Sequence, residues 1–325
     1  MLGGYEMNNG KIAFVGAGLI GSGLAINCII NGMPVALQTR RQTELCKSRI
    51  DYGLGFFAEK GIITKSEAEK AASLVTITTS IEEAVADAIM VQESGPDALE
   101  LKHELVSKIE DFAPEDAIIA TSTSSRSITA VFENAKHPGR CMGGHPYNPA
   151  YLIPLVEITK GEKTSEDYVI KAKALYEKMG KVPVVLNKEV LGFIANRYQS
   201  AIHREAVDLV ENGVCSVEDA DKALVYSVGM RWGILGQYIT MHLGAAPEGI
   251  GGFNEKYGID ATKPDPRLSD MPRWTTYPPE WTSHAETGLM EAIANRPENT
   301  GNDISSIEKW RDDMLVAYLR LHELL

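Results

Sequence analysis

Short apolar runs alternate with segments of helical period along the first 188 residues. The runs 11–15, 35–39, 75–78, 88–92, 117–121, 155–158 and 182–186 read as strands. Helical periodicity fills 24–30, 44–60, 65–73, 97–111 and 165–179; in 97–111, Leu99, Leu105 and Ile109 recur on one side. Strands alternating with helices in this way predict a mostly parallel, doubly wound sheet. Past Asn187 the pattern changes. One helical pattern runs from 189 to 211 and another from 217 to 226, and no later segment reads as a strand. A glycine-rich loop follows at 244–252. The stretch 262–282 carries Pro264, Pro266, Pro272, Trp274, Tyr277, Pro278, Pro279 and Trp281, too many prolines for a regular helix. Helix returns at 304–325, with Asp312 and Asp313 expected on its polar side.

The first strand runs directly into Gly16-Ala-Gly18-Leu19-Ile20-Gly21 and then into helix. A G-x-G-x-x-G turn placed between a buried strand and a helix presents backbone N–H groups and a helix N-terminus to a dinucleotide pyrophosphate. Gly16 permits the tight turn, Gly18 lets the backbone approach the phosphates, and Gly21 lets helix and strand pack closely. Leu19 and Ile20 open that helix and belong to the same candidate site. Glu93, just past the fourth run, and Lys102, in the helix after it, join the candidate cofactor residues. The expected class is therefore α/β: an N-terminal Rossmann doubly wound parallel sheet over 1–188, and an all-helical substrate and dimerisation domain over 189–325.

An NAD site usually carries Asp or Glu at the end of the second strand, where it binds the ribose 2′-hydroxyl. This chain has Thr39-Arg40-Arg41 instead. A hydroxyl and two guanidiniums attract a 2′-phosphate, so the cofactor is NAD or NADP with a lean to NADP. The competing reading is that the arginines begin a solvated helix.

The chain has 325 residues, is 44% hydrophobic and carries a formal charge of −12, enough apolar content for a large core and two domains. The negative charge argues against nucleic acid and anionic membranes as partners. Cys28, Cys46, Cys141 and Cys215 form no C-x-x-C pair and no metal-ligand spacing, so no metal is expected and a reduced, cytoplasmic setting is the simplest reading. Residues 1–10 are polar and glycine-rich, unlike a signal peptide or a span. No apolar run reaches the roughly 18 residues of a membrane helix. The partner expected is a small molecule, and the apolar second domain points to a homodimer.

Candidate chemistry gathers around His145. It stands in a proline-flanked loop, Gly143-Gly-His145-Pro-Tyr-Asn148-Pro, with Glu157 following on the next strand. An imidazole titrates near neutrality and suits a general base, while an acid holding one ring nitrogen leaves the other free. Ser124 lies past the end of a strand, where open α/β sheets meet their ligands. The other six histidines (His103, His137, His203, His242, His284 and His322) read as ordinary core or surface residues.

Thr123-Ser124-Ser125, His145-Pro-Tyr-Asn148-Pro, Pro154-Leu-Val-Glu157 and Gly192-Phe-Ile-Ala-Asn196-Arg together resemble the 3-hydroxyacyl-CoA dehydrogenase family over nearly the whole chain. The resemblance implies a Rossmann domain followed by a helical, dimer-forming domain. It implies His145 as the base that takes the 3-hydroxyl proton and Glu157 as the carboxylate that orients it. It further implies Ser124 and Asn196 as partners of the substrate oxygen, with Asn148 shaping the loop. Within the family the loop is most similar to the L-carnitine dehydrogenase and L-gulonate 3-dehydrogenase (lambda-crystallin) group, as are Gly229-Met-Arg231-Trp232 and Arg311-Asp-Asp-Met-Leu-Val-Ala317.

Arg231 suits the carboxylate of a free 3-hydroxy acid; a surface salt bridge is the alternative. Trp232, Tyr238, Trp274, Tyr277 and Trp281 are candidates for an aromatic cage around a trimethylammonium group, or simply packing aromatics. Two departures stand out. Gly236-Gln237-Tyr238-Ile239 replaces a Gly-Pro-Phe-Glu-like turn of the family, and Thr39-Arg40-Arg41 replaces its acid. The expected activity is thus oxidation of a small, carnitine-like 3-hydroxy acid. A 3-hydroxyacyl-CoA is the alternative substrate, although Lys60, Lys65 and Lys70 make a thin basic patch for it. A non-catalytic, crystallin-like dinucleotide-binding protein is the remote reading.

Overall fold

The computed structural model describes residues 10–252, 256–257 and 278–325. Residues up to Asn196, together with Arg311–Leu325, make one compact unit; Arg197–Trp310 make a second.

The first unit is built on an eight-stranded sheet: β1 (Lys11–Val15), β2 (Val35–Gln38), β3 (Val75–Thr78), β4 (Ala88–Glu93), β5 (Ile118–Thr121), β6 (Cys141–Pro146), β7 (Leu155–Lys160) and β8 (Val182–Leu186). Their order is β3-β2-β1-β4-β5-β6-β7-β8. Every neighbouring pair is parallel except β6 with β7. Alternate residues of the central strands feed opposite faces, as a period of two requires. Ile12, Phe14 and Met90 pack with Leu24 and Ile29 of helix α1 (Leu19–Ile30) and with Leu54 and Phe57 of α2 (Thr43–Glu59). Ala13, Val15 and Val91 pack on the other face with Leu105, Val106 and Ile109 of the helix Leu99–Phe112. Each such Leu, Ile or Phe, fully withdrawn from water, contributes roughly 1.5–3 kcal/mol.

The structure corrects the sequence reading in several places. Residues 141–146 form strand β6, buried along its whole length, so His145 stands on a strand and not in a loop. The glycines hid it. A Cβ at Gly143 would lie 2.8 Å from Ile128 Cδ1, and one at Gly144 would lie 1.9 Å from the Tyr176 hydroxyl. Both glycines make room for packing, and their lack of side chains erased the strand pattern.

The helix expected from 189 starts only at Ala195 and runs to Glu211. Gly192 (φ 77°) and Phe193 (φ 49°) hold left-handed backbone just before it, a conformation no helix accepts. The helix expected over 217–226 is α-helical only for Val217–Ala223, and Leu224–Gly229 widens into a π-turn. Helix Met230–Gly244 is interrupted at Gly236 (φ 71°). Trp281 opens a helix to Ala294, whereas 258–277 lie outside the described residues. Helix Ile304–Leu321 buries Asp312, which the sequence placed on the polar face. Tyr151 Oη donates to Asp312 at 2.7 Å and Arg311 Nε donates to it at 2.9 Å, so the buried carboxylate is partnered. Among the described residues no strand follows Leu186.

Candidate active site

At the carboxyl end of β1 the chain turns at Gly16 with φ 106°. A Cβ there would meet the Ser94 carbonyl at 2.7 Å, and one at Gly21 would meet the Gly16 carbonyl oxygen at 2.2 Å. Only glycine lets strand, turn and helix approach this closely. Gly18 differs: a Cβ added to it would meet nothing within 4 Å. Gly18 is the N-cap of α1 and offers no side-chain cap, so no side chain of the cap satisfies the first-turn N–H groups, those of Leu19 and Ile20 among them. An uncapped helix N-terminus on a glycine turn fits a pyrophosphate. Thr39 is buried at the end of β2, its N–H bonded to the Thr78 carbonyl at 3.0 Å. Arg40 and Arg41 are exposed and form no ion pair among the described residues.

Glu93 and Lys102 are both fully buried and pair with each other at 2.9 Å. Glu93 also accepts hydrogen bonds from Thr121 Oγ1 at 2.6 Å and from the Gly95 N–H at 2.7 Å. Their charges therefore serve the turn after β4 and tie it to β5.

The antiparallel pairing of β6 and β7 sets His145 directly opposite Glu157. His145 Nδ1 donates to Glu157 Oε2 at 3.1 Å, and Tyr147 Oη donates to the same oxygen at 3.0 Å. The other oxygen, Oε1, accepts the N–H groups of Ile194 and Ala195, both at 2.9 Å. Burial alone would raise the pKa of Glu157. Donation from His145, Ala195, Ile194 and Tyr147 outweighs it and holds the carboxyl below its ordinary value. The imidazole is gripped as well. The Tyr147 ring meets it edge-on with centroids 4.6 Å apart, and the Phe193 ring lies at 5.3 Å. His145 Nε2 makes no hydrogen bond among the described residues, and the residue is only 6% exposed. A buried base with one nitrogen anchored and the other open is arranged to accept a proton.

β5 and β6 are adjacent and parallel, with Thr121 beside Gly143, so Ser124 and His145 both lie at carboxyl ends of neighbouring strands. Thr123 and Ser125 each donate to Asp97 at 2.6 Å. Burial works to raise Asp97's pKa, but these bonds with Lys102 and Arg126 hold it low. Ser124, between them, makes no side-chain hydrogen bond among the described residues, and neither does Asn196 or Asn148. Asn148 is exposed in the turn between β6 and β7. That turn is stitched down by Asn27 Nδ2 to the Tyr151 carbonyl at 3.0 Å and by Lys181 Nζ to the carbonyls of Ile153, at 3.1 Å, and Ala150.

Four contributors were not visible in the sequence. Tyr147 and Phe193 frame the imidazole; their places inside the family-like motifs around His145 and Asn196 were the available signal. Glu189 Oε2 accepts from Thr129 Oγ1 at 2.7 Å while Oε1 meets the Ser127 hydroxyl at 3.1 Å, tying the segment after β8 to the serine loop. Lys181 gave no signal at all.

In the second unit Arg231 is exposed on helix Met230–Gly244 and forms no ion pair among the described residues, which leaves the salt-bridge alternative without a partner there. Trp232 is half-buried and Tyr238 exposed. Trp281 meets His203 edge-on at 5.2 Å. Trp274 and Tyr277 lie outside the described residues. In the first unit Lys60 pairs with Asp313 at 2.7 Å, so it is not a free cation for a CoA phosphate. Among the described residues no cluster of His, Cys, Asp and Glu could hold a metal ion, and no helix is long and apolar enough to cross a membrane.

Residues 11–190 match the NAD binding domain of 3-hydroxyacyl-CoA dehydrogenase and residues 192–278 match its C-terminal domain. The L-carnitine dehydrogenase of a Pseudomonas species is 35% identical over 94% of this chain and 92% of its own length. That of Oceanobacillus iheyensis is 35% identical over 96% of this chain and 98% of its own. Among solved structures, 5-formyl-3-hydroxy-2-methylpyridine 4-carboxylic acid 5-dehydrogenase, an NAD+-dependent dismutase, superposes with a TM-score of 0.80 at 28% identity, covering 96% of this chain and 98% of that one. FadB2 of M. tuberculosis superposes at 0.67 with 26% identity, covering 86% and 94%. An NAD-binding Rossmann sheet followed by a helical domain, matched end to end by these relatives, makes this chain an oxidoreductase of the 3-hydroxyacyl-CoA dehydrogenase family.

Proposed function

We propose that the protein is an NAD(P)-dependent dehydrogenase that oxidises the 3-hydroxyl of a small, free, carnitine-like 3-hydroxy acid. One observation carries the reading: Glu157 is filled by four donors and holds His145 by Nδ1, leaving Nε2 as an open acceptor. Nε2 takes the hydroxyl proton, and the anionic Glu157 stabilises the imidazolium that results. The nicotinamide, when bound, supplies the acceptor for the hydride leaving C3. Ser124 and Asn196, with side chains not engaged within the protein, hold the substrate oxygen, and Asn148 shapes the turn beside them. The Gly16–Gly21 cradle with Leu19 and Ile20 holds the pyrophosphate. Glu93 and Lys102 shape the turn beyond β4.

The substrate class is supported by the 35% identity to L-carnitine dehydrogenases. It is also supported by Arg231, an exposed cation suited to a carboxylate, with Trp232 beside it for a quaternary ammonium. Exposed Arg40 and Arg41, with Thr39 in place of an acid, support NADP over NAD. In this reading residues 1–188 bind the cofactor, 189–325 bind the substrate and form a homodimer, and the four unpaired cysteines suit a cytoplasmic setting.

The test is reduced-nicotinamide absorbance with purified protein, L-carnitine and either NAD+ or NADP+. A rise establishes both reaction and substrate class. Turnover of 3-hydroxybutyryl-CoA without turnover of carnitine overturns the free-acid half. Dinucleotide binding with no turnover of either favours a non-catalytic, crystallin-like protein.

A further inference from the structure

Tyr147 occupies a position that the proposed reaction does not by itself require. Its hydroxyl donates to Glu157 Oε2, the same oxygen that receives His145 Nδ1. The hydroxyl also accepts from the backbone N–H of Asn196. Its ring packs edge-on against the imidazole. One side chain thus touches the proposed base, its carboxylate partner and the backbone of the residue proposed to hold the substrate oxygen.

Burial, the charge of Glu157 and the bond to it all raise the phenol's pKa, with the Asn196 N–H opposing, so the hydroxyl stays protonated and always donates. Among the described residues, the titratable groups in contact with it are His145 on β6 and Glu157 on β7. The segment 193–196 contributes backbone N–H groups and the Phe193 ring. A permanent second donor on Oε2 draws charge away from the bond to His145 and fixes the carboxylate plane.

We infer that Tyr147 is a positioning residue: its hydroxyl locks Glu157 between the imidazole and the Asn196 segment and limits how strongly the carboxylate pulls on His145. This rests on the proposed role of His145, so the test keeps the two apart.

Tyr147→Phe retains the ring and removes the hydroxyl alone. Carbon-detected titration of the His145 imidazole in the full-length protein needs neither substrate nor cofactor. With Oε2 freed of its second donor, Glu157 favours the imidazolium more strongly. The His145 titration midpoint should therefore move to higher pH than in the wild type. With L-carnitine as probe, kcat should fall about tenfold with KM nearly unchanged, the split expected when orientation and not substrate binding is lost.

An unmoved or lowered midpoint overturns the inference, and so does a change confined to KM, which would put the hydroxyl on the substrate. A raised midpoint supports it whether or not carnitine is turned over. His145→Gln separates the two claims. Retained turnover in that variant removes the base assignment, whereas its loss alongside an unmoved Tyr147→Phe midpoint removes only the role of Tyr147. Should Tyr147→Phe fold poorly, Tyr147→Leu, which carries no side-chain hydrogen-bond donor, is read by the same titration and the same criterion.

Discussion

Gln92 Nε2 donates to the carbonyl oxygen of Gly144 at 2.9 Å, reaching across β5 to the residue just before His145. The same nitrogen meets Ser122 Oγ at 2.7 Å, and Gln92 Oε1 accepts from the buried Tyr176 hydroxyl at 2.6 Å. A fully buried amide thus ties β4, β6 and the helix Glu166–Lys178 together behind the proposed base. Gln92→Leu would leave the Tyr176 hydroxyl and the Gly144 carbonyl without partners. Each buried orphan costs about 1–3 kcal/mol, so urea denaturation should show a loss of about 3 kcal/mol. A loss below about 1 kcal/mol would mean that the network relaxes at little cost.

For the base itself, His145→Gln should lower turnover by a factor on the order of 10² to 10⁴ while leaving dinucleotide affinity as it was. Stopped assays for rate and fluorescence titration for binding separate the two effects. Near-normal turnover would remove His145 from the reaction.

Arg40→Asp tests the second-strand reading. A carboxylate placed beside the ribose repels a 2′-phosphate, so NADPH affinity should drop at least tenfold relative to NADH, measured by fluorescence titration of both. An unchanged ratio would show that Arg40 does not reach the ribose.

Lys181 makes the stability depend on pH. Burial pushes its ammonium down to about 7, with Cys28 acting weakly the other way. Burial also pushes the Cys28 thiol up to about 12. Between about 7 and about 10 the unfolded chain holds a proton on this lysine that the folded chain has lost. Stability should therefore rise as pH increases through that window, because the unfolded state binds more protons. Lys181→Met should flatten the rise while lowering stability near pH 10, where the carbonyls of Ala150 and Ile153 lose their donor. Chemical denaturation of both proteins across the window checks it, and parallel curves would contradict the assignment.

Sequence periodicity reaches its limit where distant packing dictates the residue. Strands β1, β3 and β8 and helix α2 were legible to within a residue at each end, because short β-branched runs and helical spacing mark an element locally, even where, as in β3 and β8, much of it is not buried. β6 was not: Gly143 and Gly144 leave no side-chain pattern, and their reason lies in Ile128 and Tyr176, far away in the chain. The start of the helix at Ala195 was missed for a similar cause. The left-handed Gly192 and Phe193 are set by the need to aim two N–H groups at Glu157, a contact across 37 and 38 positions.

Local chemistry therefore determined a great deal by itself. Glycine spacing between a strand and a helix specified the dinucleotide cradle, because its backbone geometry is local. The family motifs named His145 and Glu157 as partners. Only the tertiary structure decided what holds that pair. It placed the two residues opposite each other on antiparallel strands, put Tyr147 and Phe193 around the ring, and turned Asp312 inward to meet Tyr151. Periodicity reports which side of an element is apolar, whereas a hydrogen bond between residues distant in the chain exists only once the elements carrying them have packed.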